Sequence, residues 1–559
     1  MQRLLATCKK LLHGVAHRPW LLYGLMALVV LAPLLRSGYV LTLDMVFTPV
    51  LRMPTNVGND YVFRALLHLL NVLLPSDLIE KIILFAILLL SGIGMHRLVR
   101  YVNRQPASRY DALGTYVGGV FYAINPFTYD RFMAGQYEVL LGYALLPWFV
   151  RLLLGFFMRP EWYRLFWLIT LSTVISIVSI HDIGLMAILT IVALCVTLWQ
   201  QRADRVWRNK TLRLGLAGIG VWLLASSYWI IPLILGKGSV ATQIASIGAH
   251  DQSAFATVGG STLGRIGNIV RLQGFWAEVR DMYQLPQAHV HAWGLIGLLV
   301  WALAIVGGIS LWRTRQRAVV AVLGVSGCIG GLLAMGVLNP WLAAHVPLLA
   351  GYREPQKFVA LLALTYALFI ARGATAITVY CHENGGKAFG IFVAGVILVM
   401  PLAWTPTMPY GLASQLHPVE YPADWSVVNA RLKTDPGNFK TLFLPWHLYM
   451  RFNFAGHIIA NPAANYFDKP VIVSDNPEFN GAALSNTTAA KRALDHLLSR
   501  AEQQDDFGAQ LAALHIKYII VDHDDNDQDA VDLARRADMQ LLIQGRTLDL
   551  YRNKAYGDR

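Results

Sequence analysis

Apolar residues along this chain come in long unbroken runs rather than in alternation. Runs of about 20 residues, enough for a helix to cross a bilayer core, recur from residue 20 to residue 404. They predict membrane spans at 20–37, 78–97, 110–125, 138–157, 164–181, 183–199, 213–235, 293–312, 318–338, 357–373 and 388–404. Eleven crossings put the two termini on opposite sides of the membrane. The run at 20–35 has the length of a signal-peptide core, but no small-residue cleavage site follows it and many further runs do, so it reads as a retained first helix.

Past residue 404 the pattern changes. Short β-like stretches ("KTLFLPW", "PVIVSD", "IKYIIVD", "TLDLYRN") are separated by helix-like segments such as "TTAAKRALDHLLSRAEQ". The remaining stretch, about 155 residues, suffices for one soluble α/β domain. The expected organisation is a mostly α polytopic membrane domain at 1–404, with extramembrane loops at 38–77 and 236–292, followed by an α/β domain at 405–559.

Composition agrees: of the 559 residues 55% are hydrophobic, and the formal charge is +13. In a soluble protein that charge would point to nucleic acid. Here the excess Lys and Arg gather in short loops, as in Lys9/Lys10/Arg18, Arg97/Arg100/Arg104/Arg109, Arg202/Arg205/Arg208 and Arg313/Arg315/Arg317. All fall on one side of the span map, which the positive-inside rule makes cytoplasmic. The charge therefore reports topology, no nucleic-acid partner is expected, and the C-terminal domain is placed outside a cell (plasma or inner) membrane. The four cysteines, Cys8, Cys195, Cys328 and Cys381, lack metal-ligand spacing and lie where disulfides are not expected. "DHDDNDQD" places Asp522, Asp524 and Asn526 like the start of a calcium loop, yet Asp527 stands where that loop needs Gly, so it reads as a solvated turn. "NTT" at 486–488 is a formal glycosylation sequon and carries no weight here.

Several ionisable residues gather at the outer rim of the map. Asp44 follows the first span in "GYVLTLDMVFTPVL". Asp130 and Arg131 lie in "NPFTYDRFMAGQYE", His181 and Asp182 in "SIHDIG", and Arg353, Glu354 and Lys357 in "GYREPQKF". Ionisable groups near membrane depth are costly and by default functional. Each also has a plainer explanation. Asp44 could cap a helix-like segment after it, Arg131 and Lys357 could anchor at lipid headgroups, Glu354 before Pro355 could mark the start of a span, and His181–Asp182 could be a polar hairpin tip. Their convergence on one level favours chemistry, together with the Pro-interrupted "FYAINPFTYD", expected to expose backbone there. In the C-terminal domain "LFLPWHLYMRFNF" gathers Trp446, His447, Tyr449, Phe452 and Phe454, suited to sugar faces but equally to a hydrophobic core. "VSDNPEFNG" offers Asp475, Asn476 and Glu478 for hydroxyl recognition or for a plain turn.

These features resemble the GT-C superfamily of integral-membrane glycosyltransferases. "TLDMVFTP", "NPFTYDRFMAGQ", "YREPQKF" and "LHIKYIIVD" are most similar to the arabinofuranosyltransferase-like bacterial membrane proteins. The resemblance implies a polyprenyl-phosphate-linked sugar donor, a glycan, lipid or protein acceptor on the extracytoplasmic side, and a first-loop Asp, here Asp44, as the base. The transfer itself asks for cations at the departing phosphate, for which Arg353, Lys357 and Arg131 are candidates. Asp130, His181, Asp182 and Glu354 are expected to support the base, bind the acceptor or help hold a divalent cation (Mg, Mn or Ca). The first loop lacks the Asp-x-Asp or Glu-x-Asp pair that many members carry, which leaves the metal open. Two other classes compete: a transporter or flippase for lipid-linked glycans, against which stand the absence of internal repeats and the charges at one rim, and a non-catalytic envelope scaffold.

Overall fold

The computed structural model describes residues 18–103, 110–238, 240–241, 244, 254–314, 316–337, 341, 345, 351–476, 488–501, 506–524 and 533–557. Cys8, Lys9, Lys10, Arg104, Arg109, Arg315, Glu478, Asn486, Asn526 and Asp527 lie outside these residues.

Each apolar run forms helix, but the span count falls below eleven. Among the described residues six helices are long and apolar enough to cross a membrane: Ser76–Asn103, Tyr137–Met158, Ile180–Gln200, Trp293–Trp312, Arg317–Ala334 and the segment Pro355–Trp404. A seventh is added if Arg205–Ala225 and Ser227–Ile234, bent by 79°, are one span. Part of the shortfall is a matter of length. Pro19–Leu31 and Asp111–Ala123 have 13 residues each, and Trp162–Val178 has 17. At about 1.5 Å per residue, 13 residues reach only about 20 Å of a hydrocarbon core about 30 Å thick. The runs at 357–373 and 388–404 join into one helical segment, Val359–Trp404, broken at Gly386 with φ 84°. A Cβ on Gly390 would lie 2.7 Å from His382 Cβ. In a straight helix those residues would be about 12 Å apart, so the chain folds back at Gly386.

Large side chains on these helices face outward without a protein partner surface: Ile305 is 61%, Phe392 66% and Leu216 70% exposed. So much outward-facing apolar surface on helices of membrane length belongs in lipid. This is a polytopic membrane protein.

The C-terminal region is α/β, and all four strand-like stretches are strands. β1 (Lys440–Leu444), β4 (Val471–Ile472), β5 (Ile516–Asp522) and β7 (Leu548–Asn553) join β6 (Met539–Gln544) in the order β4-β1-β5-β7-β6. β1 runs parallel to β4 and β5, whereas β7 is antiparallel to β5 and β6. β5 is central in the sheet and buried on both faces, with six of its seven residues buried. The "TTAAKRALDHLL" helix begins at Ala489, where Thr488 accepts the Lys491 N–H at 3.3 Å.

A separate ribbon, β2 (Tyr449–Phe452) with β3 (His457–Ala460), reaches toward the membrane helices. Ala460 N donates to Leu43 O at 2.8 Å, His457 Nε2 lies 2.9 Å from Leu41 O, and Tyr39 and Val419 pair antiparallel. The segment after the first helix is thus tied to the C-terminal region by backbone hydrogen bonds. The core follows the same path: Leu31, Leu84 and Ile87 share one apolar cluster with Trp425, Phe443 and Phe452.

Candidate functional site

Asp44 does not cap a helix. The residues after it are extended, and its backbone N–H donates to Ala134 O at 2.9 Å. The partner segment owes its shape to "NPFT". Pro126 opens the helix Pro126–Met133, Asn125 Oδ1 accepts Thr128 N–H at 3.2 Å, and Thr128 Oγ1 accepts Asn125 N–H at 3.1 Å. Asn125 Nδ2 also donates to Phe121 O and Tyr122 O, both at 3.0 Å. The backbone expected to be exposed at this break is therefore satisfied. The helix ends at Gly135, φ 71°, where a Cβ would stand 2.1 Å from Thr42 Oγ1 and 2.6 Å from Met45 N. Glycine is required there by conformation and by space. Gly135→Ala is expected to cost about 1–3 kcal/mol, read as a lowered melting temperature of the detergent-solubilised protein. Gly220→Ala, where nothing lies within 4 Å, should leave that temperature unchanged or raise it.

The turn at Gly135 brings Gln136 under Asp44. Tyr449 donates its hydroxyl to Asp44 Oδ1 at 2.7 Å, and Gln136 Nε2 donates to Oδ2 at 3.3 Å. Gln136 Nε2 also donates to Glu354 Oε2 at 3.2 Å, while its Oε1 accepts from Arg131 Nη1 at 2.7 Å. Arg131 Nη1 donates to Glu354 Oε2 at 3.0 Å, and Lys357 Nζ lies 3.5 Å from the same oxygen. Lys357 Nζ donates to His181 Nε2 at 3.0 Å, which assigns that imidazole's proton to Nδ1. One network thus runs from Tyr449 through Asp44, Gln136, Arg131, Glu354 and Lys357 to His181.

It borders a cavity of about 730 Å³ lined by Asp44, Gln136, His181, Arg353, Glu354 and Lys357, and also by Arg52, Arg64 and Glu138. Asp44 is exposed and lines this cavity. The protein packed around it raises its carboxyl above the usual range, and Glu354's charge adds to the rise, against the hydrogen bonds from Tyr449 and Gln136. Burial also pushes Glu354 upward, but Lys357, Arg131 and Arg353 outweigh it and hold this carboxyl at about 2. Two carboxylates bridged by one glutamine are therefore driven apart, Glu354 fixed as an anion and Asp44 inclined to take a proton.

The sequence-predicted residues divide. Asp44, His181, Arg353, Glu354 and Lys357 meet at the cavity. Arg131 is only 1% exposed and stands behind Glu354, its guanidinium 4.3 Å from the Phe275 ring. Asp130 faces the other way: its Oδ1 accepts the Tyr283 hydroxyl at 3.1 Å, and burial with the neighbouring Glu278 carboxyl raises it well above its ordinary range. Asp182 is fully buried against Gly142, whose added Cβ would lie 2.2 Å from Oδ2. Asp130 and His181 do not form a common metal site, because Asp130 is spent on Tyr283 and Glu278 while an ammonium occupies the His181 lone pair. Among the described residues no three His, Cys, Asp or Glu side chains converge as metal ligands.

Of the aromatic stretch, Tyr449 reaches Asp44, Phe452 packs in the core around Trp425, and Trp446 donates to Asp495. Asp475 pairs with Lys491 at 3.1 Å, and Asn476 N–H turns back onto Ser474 Oγ. Asp524 accepts from Asn453, Asp522 is buried at the end of β5, and the rest of that acidic stretch from 525 on lies outside the described residues. Sequence reasoning missed Gln136, Arg64 and Glu138, although "MAGQYE" lay inside a stretch already singled out.

No family model and no curated relative matches the sequence. Solved structures do. Arabinofuranosyltransferase AftD from Mycobacteria superposes with a TM-score of 0.64 at 16% identity, covering 96% of this chain and 40% of that one. A mutant structure of the same enzyme gives 0.61 at 14%, covering 95% and 41%. The chain thus spans about two fifths of that protein's length. Over nearly its whole length, then, this membrane protein has the fold of the mycobacterial arabinofuranosyltransferase AftD, the architecture its short motifs had suggested.

Proposed function

We propose that this chain is a membrane glycosyltransferase of GT-C type. It moves a sugar from a polyprenyl-phosphate donor to a glycan, lipid or protein acceptor outside the cytoplasm. The observation that carries this reading is the pairing, around one cavity, of an accessible carboxylate of raised basicity, Asp44, with the cations Arg353 and Lys357. Asp44 takes the proton from an acceptor hydroxyl as its oxygen bonds to the anomeric carbon. The bond from that carbon to the phosphate oxygen breaks, and its electron pair leaves on the phosphate, where Arg353 and Lys357 meet the charge. Arg131 acts from behind by holding Glu354 and Gln136, and His181 by fixing the Lys357 ammonium. Asp130 and Asp182 take supporting roles in the walls.

Purified protein given a polyprenyl-phosphate sugar and a panel of acceptors should release polyprenyl phosphate. Absence of release with every donor and acceptor pair would sink the reading.

The same proposal places the domain 405–559 outside and the N-terminus inside, from the loop charge bias. In a cysteine-free background, a membrane-impermeant maleimide should label Ala430→Cys but not Ala203→Cys in intact cells. Both positions are exposed, so the reverse pattern would invert the topology and take the cavity away from an external acceptor.

A further inference from the structure

The sheet of the C-terminal region borders a cavity that the chemistry at Asp44 does not use. It measures about 420 Å³, and its lining includes Arg431, Asp435, Phe439, Lys517, Arg552 and Tyr556. Among the described residues none lines both this cavity and the one at Asp44. It lies where β1 and β5 begin, whereas the other end of β1 leads on to the ribbon whose Tyr449 meets Asp44.

Three parts of the chain build it. Arg431 stands in the last turn of the helix Ala423–Lys433, and the stretch "DPGNF" that follows brings in Asp435 and Phe439. Lys517 belongs to β5, a central strand, and is only 7% exposed. Its neighbour Tyr518 pairs with Arg552 across the antiparallel ladder to β7, which puts both side chains on one face of the sheet. Asp435 ties the floor together. Its Oδ2 accepts from Lys517 Nζ at 2.8 Å and from the Tyr518 hydroxyl at 2.7 Å, and its Oδ1 accepts from Gly437 N–H at 2.9 Å. The Lys517 ammonium lies 5.6 Å from the centre of the Phe439 ring and 5.8 Å from those of Tyr518 and Tyr556.

We propose that this cavity is a binding site for a phosphate dianion, carried by a small phosphomonoester or taken up as free phosphate. The assignment does not depend on the transferase reading. Charge is the first reason. The lining carries three cations, Arg431, Lys517 and Arg552, and one carboxylate, an excess of two that matches a phosphomonoester near neutral pH. Both Asp435 oxygens already accept hydrogen bonds, so its charge is met within the floor. A concave wall of mainly one sign concentrates the opposite charge, and guanidinium groups pair two N–H donors with two phosphate oxygens. A neutral sugar would ask for a balanced lining, and a single carboxylate would answer only half the excess. Size is the second reason, since the cavity lies in the lower part of the roughly 300–1000 Å³ range of small-ligand sites. The third is the wall of rings: Phe439 and Tyr556 offer apolar faces on which the organic part of an ester can rest.

The test uses the full chain in phosphatidylcholine nanodiscs, titrated calorimetrically at low salt with glucose 6-phosphate, inorganic phosphate and glucuronate. Arg431→Gln and Arg552→Gln each remove one lining cation. Lys433→Gln removes the same charge from the same helix, at a side chain that is 72% exposed and outside the lining. Glucose 6-phosphate or inorganic phosphate should bind saturably, and each Arg variant should weaken that binding about tenfold or more, the worth of one hydrogen bond to a charged group. Lys433→Gln should leave it unchanged. Arg431 is exposed at a helix end, so its variant keeps the fold and carries the test alone if Arg552→Gln does not fold. Tighter binding of glucose 6-phosphate assigns the site to an ester, and equal affinity assigns it to free phosphate. Absence of saturable phosphate binding, glucuronate bound as tightly as glucose 6-phosphate, or an equal loss in Lys433→Gln would overturn the proposal.

Discussion

Asp44→Asn is expected to leave the protein folded and able to bind its lipid donor while turnover falls by about a hundredfold to ten-thousandfold, the usual contribution of a placed general base. The amide keeps the shape of the carboxylate, and its oxygen can still accept from Tyr449. What it loses is the lone pair that takes the proton. Tyr449 holds one oxygen at 2.7 Å, a bond that the amide oxygen keeps, whereas Gln136 donates to the other at 3.3 Å, a longer bond that the amide nitrogen cannot accept, so the substitution removes the basicity and keeps the shorter of the two anchors. The raised Asp44 carboxyl also sets a pH dependence. Activity needs the ionised form, so kcat/KM should climb with pH through a limb lying above the ordinary Asp range and should be lost as pH falls through it. In the Tyr449→Phe variant one hydrogen bond that favours the ionised form is gone, and the limb should move further upward. An Asn variant that transfers sugar at the parent rate, or a limb that stays in place in the Phe variant, would remove Asp44 from the role of base.

How much of this site could be read from the chain follows from what a linear pattern records. Helix positions were legible because apolar runs bury or face lipid over their whole length, and the β5 strand was legible because "IKYIIVD" is apolar on both faces. Span number was not, because "DALGTYVGGVFYA" is apolar enough yet gives only 13 helical residues before Asn125 caps the next helix. Charged residues at one rim announced Asp44, Glu354 and Lys357 because charge near lipid is conspicuous. Gln136 carries no charge and announced nothing, and Tyr449 stood out only as one of a group of aromatic rings. Tyr449 stands 405 residues from the carboxylate it touches, and the contacts of Leu43 with Ala460 and of Leu41 with His457 bring the two together. Direction was equally hidden. Asp130 and Arg131 are adjacent on one helix yet bond to partners on different sides, Tyr283 and Glu354, since successive helical residues differ by about 100° around the axis.

Glu354→Gln should produce the largest loss of stability of any single change at the site, about 3–5 kcal/mol. Glu354 is 5% exposed and is the anion on which Arg131, itself 1% exposed, and Lys357 converge at 3.0 and 3.5 Å. Neutralising it leaves two buried cations facing each other with no counter-charge, and that desolvation penalty exceeds any hydrogen bond the amide can offer. The carboxyl's displacement from 4.5 to about 2 points to the same size, roughly 3 kcal/mol. Because the folded carboxyl is held low, this stability is fully present above about pH 4.5, the unfolded value, and is lost as pH falls toward 2. The Gln variant should lack that acid-dependent step. Arg131→Met, which removes one cation and leaves Lys357 to the anion, should cost less, and the double variant should cost less than the two singles added together, because the second change removes a charge that the first has already left unpaired. Thermal unfolding in detergent across that pH range reads all three variants. An additive double variant would mean that Arg131 and Glu354 contribute independently, and the network from Tyr449 to His181 would then have no shared anchor.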